Sequence, residues 1–242
     1  MSYKLYSPQS LISAGAKVEV LLRFFDFKVE FERIPFAQWK SAEYLQKHPW
    51  GKVPTLETPE GCIFESHSIM RYFARKAGKM YGSTAAETAS IDQWLEFINT
   101  QINPNLSRVH YAILGYFPVT KEQYDAARKE LWETLRLVDG WLKNNKFLGA
   151  NEVSISDVAL ATNLRYAFRL IFDEKCRSNL PNLTRWFEEV SNLQPFQQHF
   201  GKLWLCTKEF VPEFAGSQPV AVKEEKPKEQ KEQKKPAEKK KK

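Results

Sequence analysis

Residues 51–69, Gly-Lys-Val-Pro-Thr-Leu-Glu-Thr-Pro-Glu-Gly-Cys-Ile-Phe-Glu-Ser-His-Ser-Ile, leave the backbone few choices. Val53, Thr55 and Leu56 favour a strand, but Pro54 has no N–H and cannot sit inside a sheet ladder. Pro54 therefore marks a bend where a strand begins. A cis Val53–Pro54 bond is expected there, since trans is preferred at proline by only about 0.5–1 kcal/mol. Thr58-Pro59-Glu60-Gly61 has the proline and glycine positions of a type I turn. Cys62-Ile63-Phe64 is the return strand. Glu65 and Ser66 then open a helix carrying Ile69, Tyr72, Phe73 and Ala77 on one side. Ser66 is the expected N-cap, which aims free N–H groups and the positive dipole end at an anion.

Upstream, Tyr3 to Tyr6 reads as a short strand stopped by Ser7-Pro8. A helix is predicted from about Ser13, with Ala14, Val18, Leu21, Leu22 and Phe25 on one face. Residues 28–34 form a second strand ended by Pro35, and residues 38–47 a short helix anchored by Trp39, Leu45 and Trp50. The order strand–helix–strand–helix–strand–strand–helix is thioredoxin-like, with the first two strands parallel. Residues 76–83, with Gly78 and Gly82, read as a linker. Everything beyond it has helical periodicity: 85–115 with a kink at Pro104, 121–145, and a helix opened by the capping box Ser154-Ile155-Ser156-Asp157. Two more begin at Pro181 and near Pro195. The expected fold class is α/β plus all-α, with a thioredoxin-like domain over 1–78, an all-helical domain over 84–215 and a tail over 216–242.

Apolar residues make up 43% of the 242, and seven Trp with seventeen Phe imply aromatic packing. Cys62, Cys176 and Cys206 have neither zinc spacing nor the density of a disulfide framework, which suits a reducing compartment. No apolar signal core or run of about 18 apolar residues is present. The expected location is the cytoplasm, with no membrane partner. Net charge is +7, of which ten Lys and five Glu after residue 216 supply +5. That tail has no aromatic residue and too little apolar surface to offset its ordering entropy, so it is expected to be disordered. Its lysines offer at most weak RNA contact, because the glutamates offset half the charge and nothing is available for base stacking. The four histidines, His48, His67, His110 and His199, lack metal spacing, so no metal site is expected. Phosphate-loop, dinucleotide and nucleophile-elbow motifs are absent from the sequence.

Gly51-Lys52-Val53-Pro54 followed by Glu65-Ser66 resembles the glutathione-binding half-site of glutathione transferases. The resemblance implies that Val53-Pro54 backbone pairs with the cysteinyl part of glutathione. It further implies that Glu65 and Ser66 hold the γ-glutamyl end and Lys52 the glycyl carboxylate. A transferase also needs a hydroxyl that donates to the glutathione sulfur, because thiolate is the reactive species. Ser7, Ser10 and Ser13 are the candidates, with Tyr6 a poorer fit. A turn at Ser7-Pro8 and a helix cap at Ser13 are the favoured roles for those residues. Cys62 reads as packing rather than nucleophile, and Lys52 fits a solvated loop lysine as well as a ligand contact.

Leu180-Pro181-Asn182-Leu183-Thr184-Arg185-Trp186-Phe187, Gln194-Pro195-Phe196 and Lys202-Leu203-Trp204-Leu205-Cys206 are similar to one branch of that family. This branch comprises the transferase-like domains of elongation factor 1 gamma subunits. Membership would imply a scaffold that needs no cofactor, retains glutathione binding as an option and docks nucleotide-exchange subunits. Alternatives are a true glutathione transferase and an assembly domain of an aminoacyl-tRNA synthetase complex, with homodimer formation left open. The branch carries a second domain after its Lys-rich linker, so a fragment of a longer protein is expected. Arg165, Tyr166, Phe168, Arg169 and Phe172, with Trp186, Phe187 and Trp204, are docking candidates, Arg165 and Arg169 first among them.

Overall fold

The proline-bounded segments of the first 64 residues become the strands of one mixed sheet. In the computed structural model, which describes residues 3–8, 14–116 and 118–214, the sheet comprises β1 (Tyr3–Pro8), β2 (Val29–Ile34), β3 (Thr55–Thr58) and β4 (Gly61–Phe64). Its order is β2-β1-β3-β4, with β1 parallel to β2 and antiparallel to β3. β1 runs through Ser7 and Pro8 instead of stopping before them; Pro8 stands opposite Ile34 at the strand's end, where loss of an N–H is tolerated. Ser10, Ser13 and the tail over 216–242 lie outside the described residues.

Helix α1 (Ala14–Leu22) crosses between β1 and β2, a short 3-10 turn (Phe36–Gln38) leads to α2 (Ala42–Lys47), and α3 (Ser66–Ala77) follows β4. Seven further α-helices follow: α4 (Ala85–Phe97), α5 (Asn103–Ile113), α6 (Lys121–Leu142), α7 (Ile155–Leu170), α8 (Glu174–Ser178), α9 (Pro181–Ser191) and α10 (Gln194–Phe200). Among the described residues no strand follows β4. The helix predicted over 85–115 is divided by a π-turn at Ile98–Ile102, just before Pro104 in the first turn of α5. Proline lacks the N–H that would continue the regular ladder, which accounts for the break.

All of Gly15–Leu22 is buried, because α1 packs on α3 on one side and on α7 and α10 on the other. The one-faced pattern expected for this helix thus underestimates its burial, and Lys17 and Glu19 are taken inside with its apolar residues. α7 is the axis of the helical part. Asp157 Oδ1 accepts from Leu148 N–H at 3.0 Å and Trp186 Nε1–H at 2.8 Å, while Oδ2 accepts from Ser154 N–H at 3.0 Å and Oγ–H at 2.9 Å. Gly149 touches α4 so closely that a Cβ would lie 2.7 Å from Ile91 Cγ1, which requires glycine there. Phe168 and Phe187 stack at 3.7 Å between α7 and α9.

Arg165, expected at a docking surface, is buried instead. It donates to the carbonyls of Phe200, Gly201 and Lys202 at 3.2–3.4 Å, and its guanidinium lies 4.6 Å from the Phe200 ring centre. Arginine satisfies the carbonyls at the end of α10, a capping job that its exposed-looking position along α7 concealed. Phe168, Phe172, Trp186 and Phe187 are core, whereas Arg169 and Trp204 are exposed. No helix of the described residues is long and apolar enough to cross a membrane.

Candidate functional site: the sheet edge at Val53 and Glu65

The register Thr55↔Phe64 between β3 and β4 brings the preceding Val53-Pro54 and the following Glu65-Ser66 to the same end of the hairpin. The Val53–Pro54 bond is cis. Gly51, at φ 55°, sits where a Cβ would be 2.2 Å from the Trp39 carbonyl oxygen, so the loop tolerates only glycine. Tyr44 fixes the next residue: its hydroxyl donates to Lys52 O at 2.7 Å and lies 2.8 Å from Thr55 Oγ1. The Lys52 side chain is exposed, Val53 half-buried and Pro54 buried.

At the start of α3 the structure corrects the sequence reading. The N-cap is Glu65, at φ 66° and ψ 117°, and Ser66 is the first residue of the helix. A left-handed φ at a non-glycine residue costs free energy and tends to occur where function requires it. The consequence is a carboxylate held out to solvent beside a buried serine at a helix N-terminus. Lys40, which sequence reasoning missed, adds a second exposed ammonium near Lys52; its Nζ donates to Trp50 O at 2.6 Å. Nothing in the pattern around Trp39-Lys40 distinguishes this lysine from other surface lysines.

At this same end of the sheet, where Tyr6 faces Thr55 and β1 runs out through Ser7 and Pro8, the hydroxyls are committed. Ser7 is fully buried and donates to Glu19 Oε1 at 2.7 Å. Arg33 grips Glu19 with both terminal nitrogens, at 2.5 and 2.7 Å, and His199 Nδ1 lies 3.9 Å from Oε2. Burial would raise the Glu19 carboxyl, but bonds from Arg33 and Ser7 outweigh it and hold it below the usual range. Tyr6 likewise donates to Glu57 Oε2 at 2.7 Å, which Lys47 also reaches at 2.7 Å. Burial pushes the Cys62 thiol up, away from the nucleophilic thiolate. Among the described residues no group of three His, Cys, Asp or Glu side chains could hold a metal.

Comparison with known proteins places these features. Residues 1–75 match the description "Glutathione S-transferase, N-terminal domain", and residues 104–194 match "Glutathione S-transferase, C-terminal domain". Probable elongation factor 1-gamma 2 of Arabidopsis thaliana is 36% identical over 164 residues, which are 67% of this chain and 40% of that protein. Elongation factor 1-gamma of Homo sapiens is 32% identical over 184 residues, 74% of this chain and 42% of its own length. The chain thus spans less than half the length of these curated relatives. Among solved structures, glutathione transferase F2 from Populus trichocarpa is 26% identical with a TM-score of 0.73, covering 81% of this chain and 96% of that one. The transferase URE2P6 from Phanerochaete chrysosporium, solved with oxidized glutathione, has a TM-score of 0.75 over 82% of this chain and 94% of its own. At 18% identity that likeness is one of fold alone.

Proposed function

Since this chain belongs to the glutathione S-transferase family through both of its domains, we propose that it acts as a scaffold subunit of the translation elongation factor 1 complex. In that role it docks the nucleotide-exchange subunits during protein synthesis and performs no conjugation. Support comes from the elongation factor 1-gamma relatives, which align over 67–79% of the chain. The observation that carries the non-catalytic part is the buried Ser7 hydroxyl, held by Glu19 in an ion pair with Arg33. A hydroxyl spent on a carboxylate is not free to stabilise a thiolate. A second reading, a glutathione transferase, is favoured by the half-site itself, with Glu65 in a left-handed conformation beside Ser66. On the leading reading that half-site at most holds glutathione as a passive ligand through Lys52, Val53, Pro54, Glu65 and Ser66.

Docking then falls to the surface. Arg169 is exposed on α7, and Trp204, Phe210 and Val211 are exposed on the segment that follows α10. That segment is tied to α7 by Cys206 N–H to Phe168 O at 2.9 Å and Phe210 N–H to Leu170 O at 2.7 Å. Arginine and tryptophan supply a large share of interface hot spots. The test is co-purification with the nucleotide-exchange subunit at low and moderate salt, with and without residues 217–242. The complex is expected to survive both moderate salt and tail removal, and Trp204→Ala to weaken it by about 2 kcal/mol. A complex that needs the tail, or that vanishes in moderate salt, overturns surface docking and makes the charged tail the functional element.

A further inference from the structure

On the side of the helical domain away from the half-site, α6 and α8 face each other across open space. A groove of about 640 Å³ lies between them and the segment that follows α10, with Trp132 in its wall beside Arg128, Lys129 and Lys175. Three carboxylates also line it, and each is already engaged. Glu209 accepts from Arg128 at 2.6 Å, and Asp125 pairs with Lys121 one turn back on α6. Asp173 caps α8 by accepting from Cys176 N–H at 2.9 Å. Burial pushes the Cys176 thiol up to about 11, so it adds no negative charge at neutral pH.

The cations are less fully used. Lys175 and Arg136 have no ion pair among the described residues, and Lys129 meets only the exposed Glu133 at 3.9 Å, a surface pair of little strength. The Arg136 guanidinium lies 5.8 Å from the centre of the Trp132 ring, which packs edge-on against Phe172 and is half-buried. Free cations around an aromatic ring suit a segment that carries carboxylates and a flat side chain. Other occupants fit less well. This chain's own tail has ten Lys and five Glu after residue 216, and a second copy would bring the same cations to the contact. A phosphate backbone, charged at every nucleotide, meets the three groove carboxylates, whereas a peptide can space its charges and offer them N–H groups.

We propose that this groove binds an acidic peptide segment of a partner protein, with Lys129, Lys175 and Arg136 pairing its carboxylates and Trp132 covering an aromatic side chain. It is a separate contact from the salt-resistant one proposed above, and it stands whichever protein supplies the segment.

Fluorescence anisotropy of the whole chain tests this with a labelled peptide of glutamates around one phenylalanine, and with a glutamine counterpart as the neutral probe. The acidic peptide is expected to saturate at about 100 μM or below, and the neutral one to bind at least about tenfold more weakly. Lys129→Glu with Lys175→Glu is expected to weaken the acidic peptide at least about tenfold, and Trp132→Ala to weaken both peptides. Lys28→Glu with Lys79→Glu, exposed lysines outside the groove, changes net charge equally and is expected to leave most of the affinity. Thermal unfolding checks each variant, and the exposed lysine pair serves alone if Trp132→Ala is not folded. Absence of saturable binding, equal affinity for the two peptides, or equal losses in the two lysine pairs overturns the proposal. So does an oligouridylate that binds more tightly than the acidic peptide with the same residue dependence, which would make the groove a nucleic-acid interface.

Discussion

The two sides of one sheet end handle polar side chains in opposite ways. On the β3–β4 side, the backbone is held by Gly51, Tyr44 and the hairpin register, and the side chains of Lys52 and Glu65 reach solvent. On the β1–β2 side, just past the point where Tyr6 faces Thr55, Ser7, Glu19, Arg33 and His199 are gathered into a buried or half-buried network that leaves the Ser7 hydroxyl no second task. One side keeps its polar side chains in solvent and the other uses them to hold α1 and α10 onto the sheet. The two groups of side chains are therefore neighbours, as a transferase needs, but the Ser7 hydroxyl is already spent on Glu19.

The largest effect belongs to a third carboxylate that sets the scale for a purely architectural acid. Asp157→Ala removes the acceptor of four buried donors and is expected to cost about 3–5 kcal/mol in urea unfolding, because Leu148 N–H and the Trp186 indole are left unpaired. Glu19→Ala should cost somewhat less, about 2–3 kcal/mol, since Arg33 is partly exposed and regains water. Neither change should alter glutathione affinity if the division of labour between the two sides is real. A loss of glutathione binding in Glu19→Ala with the fold intact would erase that division.

The pH dependence follows from the same acid. Glu19 sits below its unfolded pKa of about 4.3. Its stabilisation is therefore fully present above that value and is lost as pH falls through the lower folded value. Glu19→Gln is expected to flatten the loss of stability below about pH 4, measured by denaturant titration across the acid range. An unchanged acid limb would mean that the Arg33 pair contributes nothing.

On the open side, Glu65→Ala is expected to weaken any glutathione binding by about 1.5–3 kcal/mol and Ser66→Ala by about 1 kcal/mol, both read by calorimetry. The Glu65 change should lower folding stability only slightly, because alanine keeps the left-handed φ while the buried Lys17 loses the attraction of the Glu65 carboxylate. Equal affinity in wild type and Glu65→Ala would remove the half-site from the account.

Much of the open side was legible because proline, glycine and turn chemistry act locally. Pro54, Pro59 and Gly61 fix the hairpin whatever surrounds it, and the Ser154–Asp157 box is visible within four residues. What the chain order hid is tertiary. Glu65 displaced Ser66 as the N-cap because the turn out of β4 needs a left-handed residue, a demand set by the sheet and not by capping preference. Lys17 and Glu19 looked like the solvent face of an amphipathic helix, but α1 is enclosed on both sides, so periodicity could not separate inside from outside. Arg165 looked exposed for the general reason that arginines usually are, and its three carbonyl partners lie more than 30 residues away.

The central claim, a glutathione half-site without thiol activation, is tested most directly by conjugation of glutathione to a standard aryl halide. The assay also reaches Ser10 and Ser13, which lie outside the described residues. Turnover is predicted to stay at the uncatalysed rate at saturating glutathione, and to be unchanged in Ser7→Ala and Ser13→Ala. Rapid conjugation that either substitution abolishes would contradict the scaffold reading and restore a hydroxyl-activated transferase.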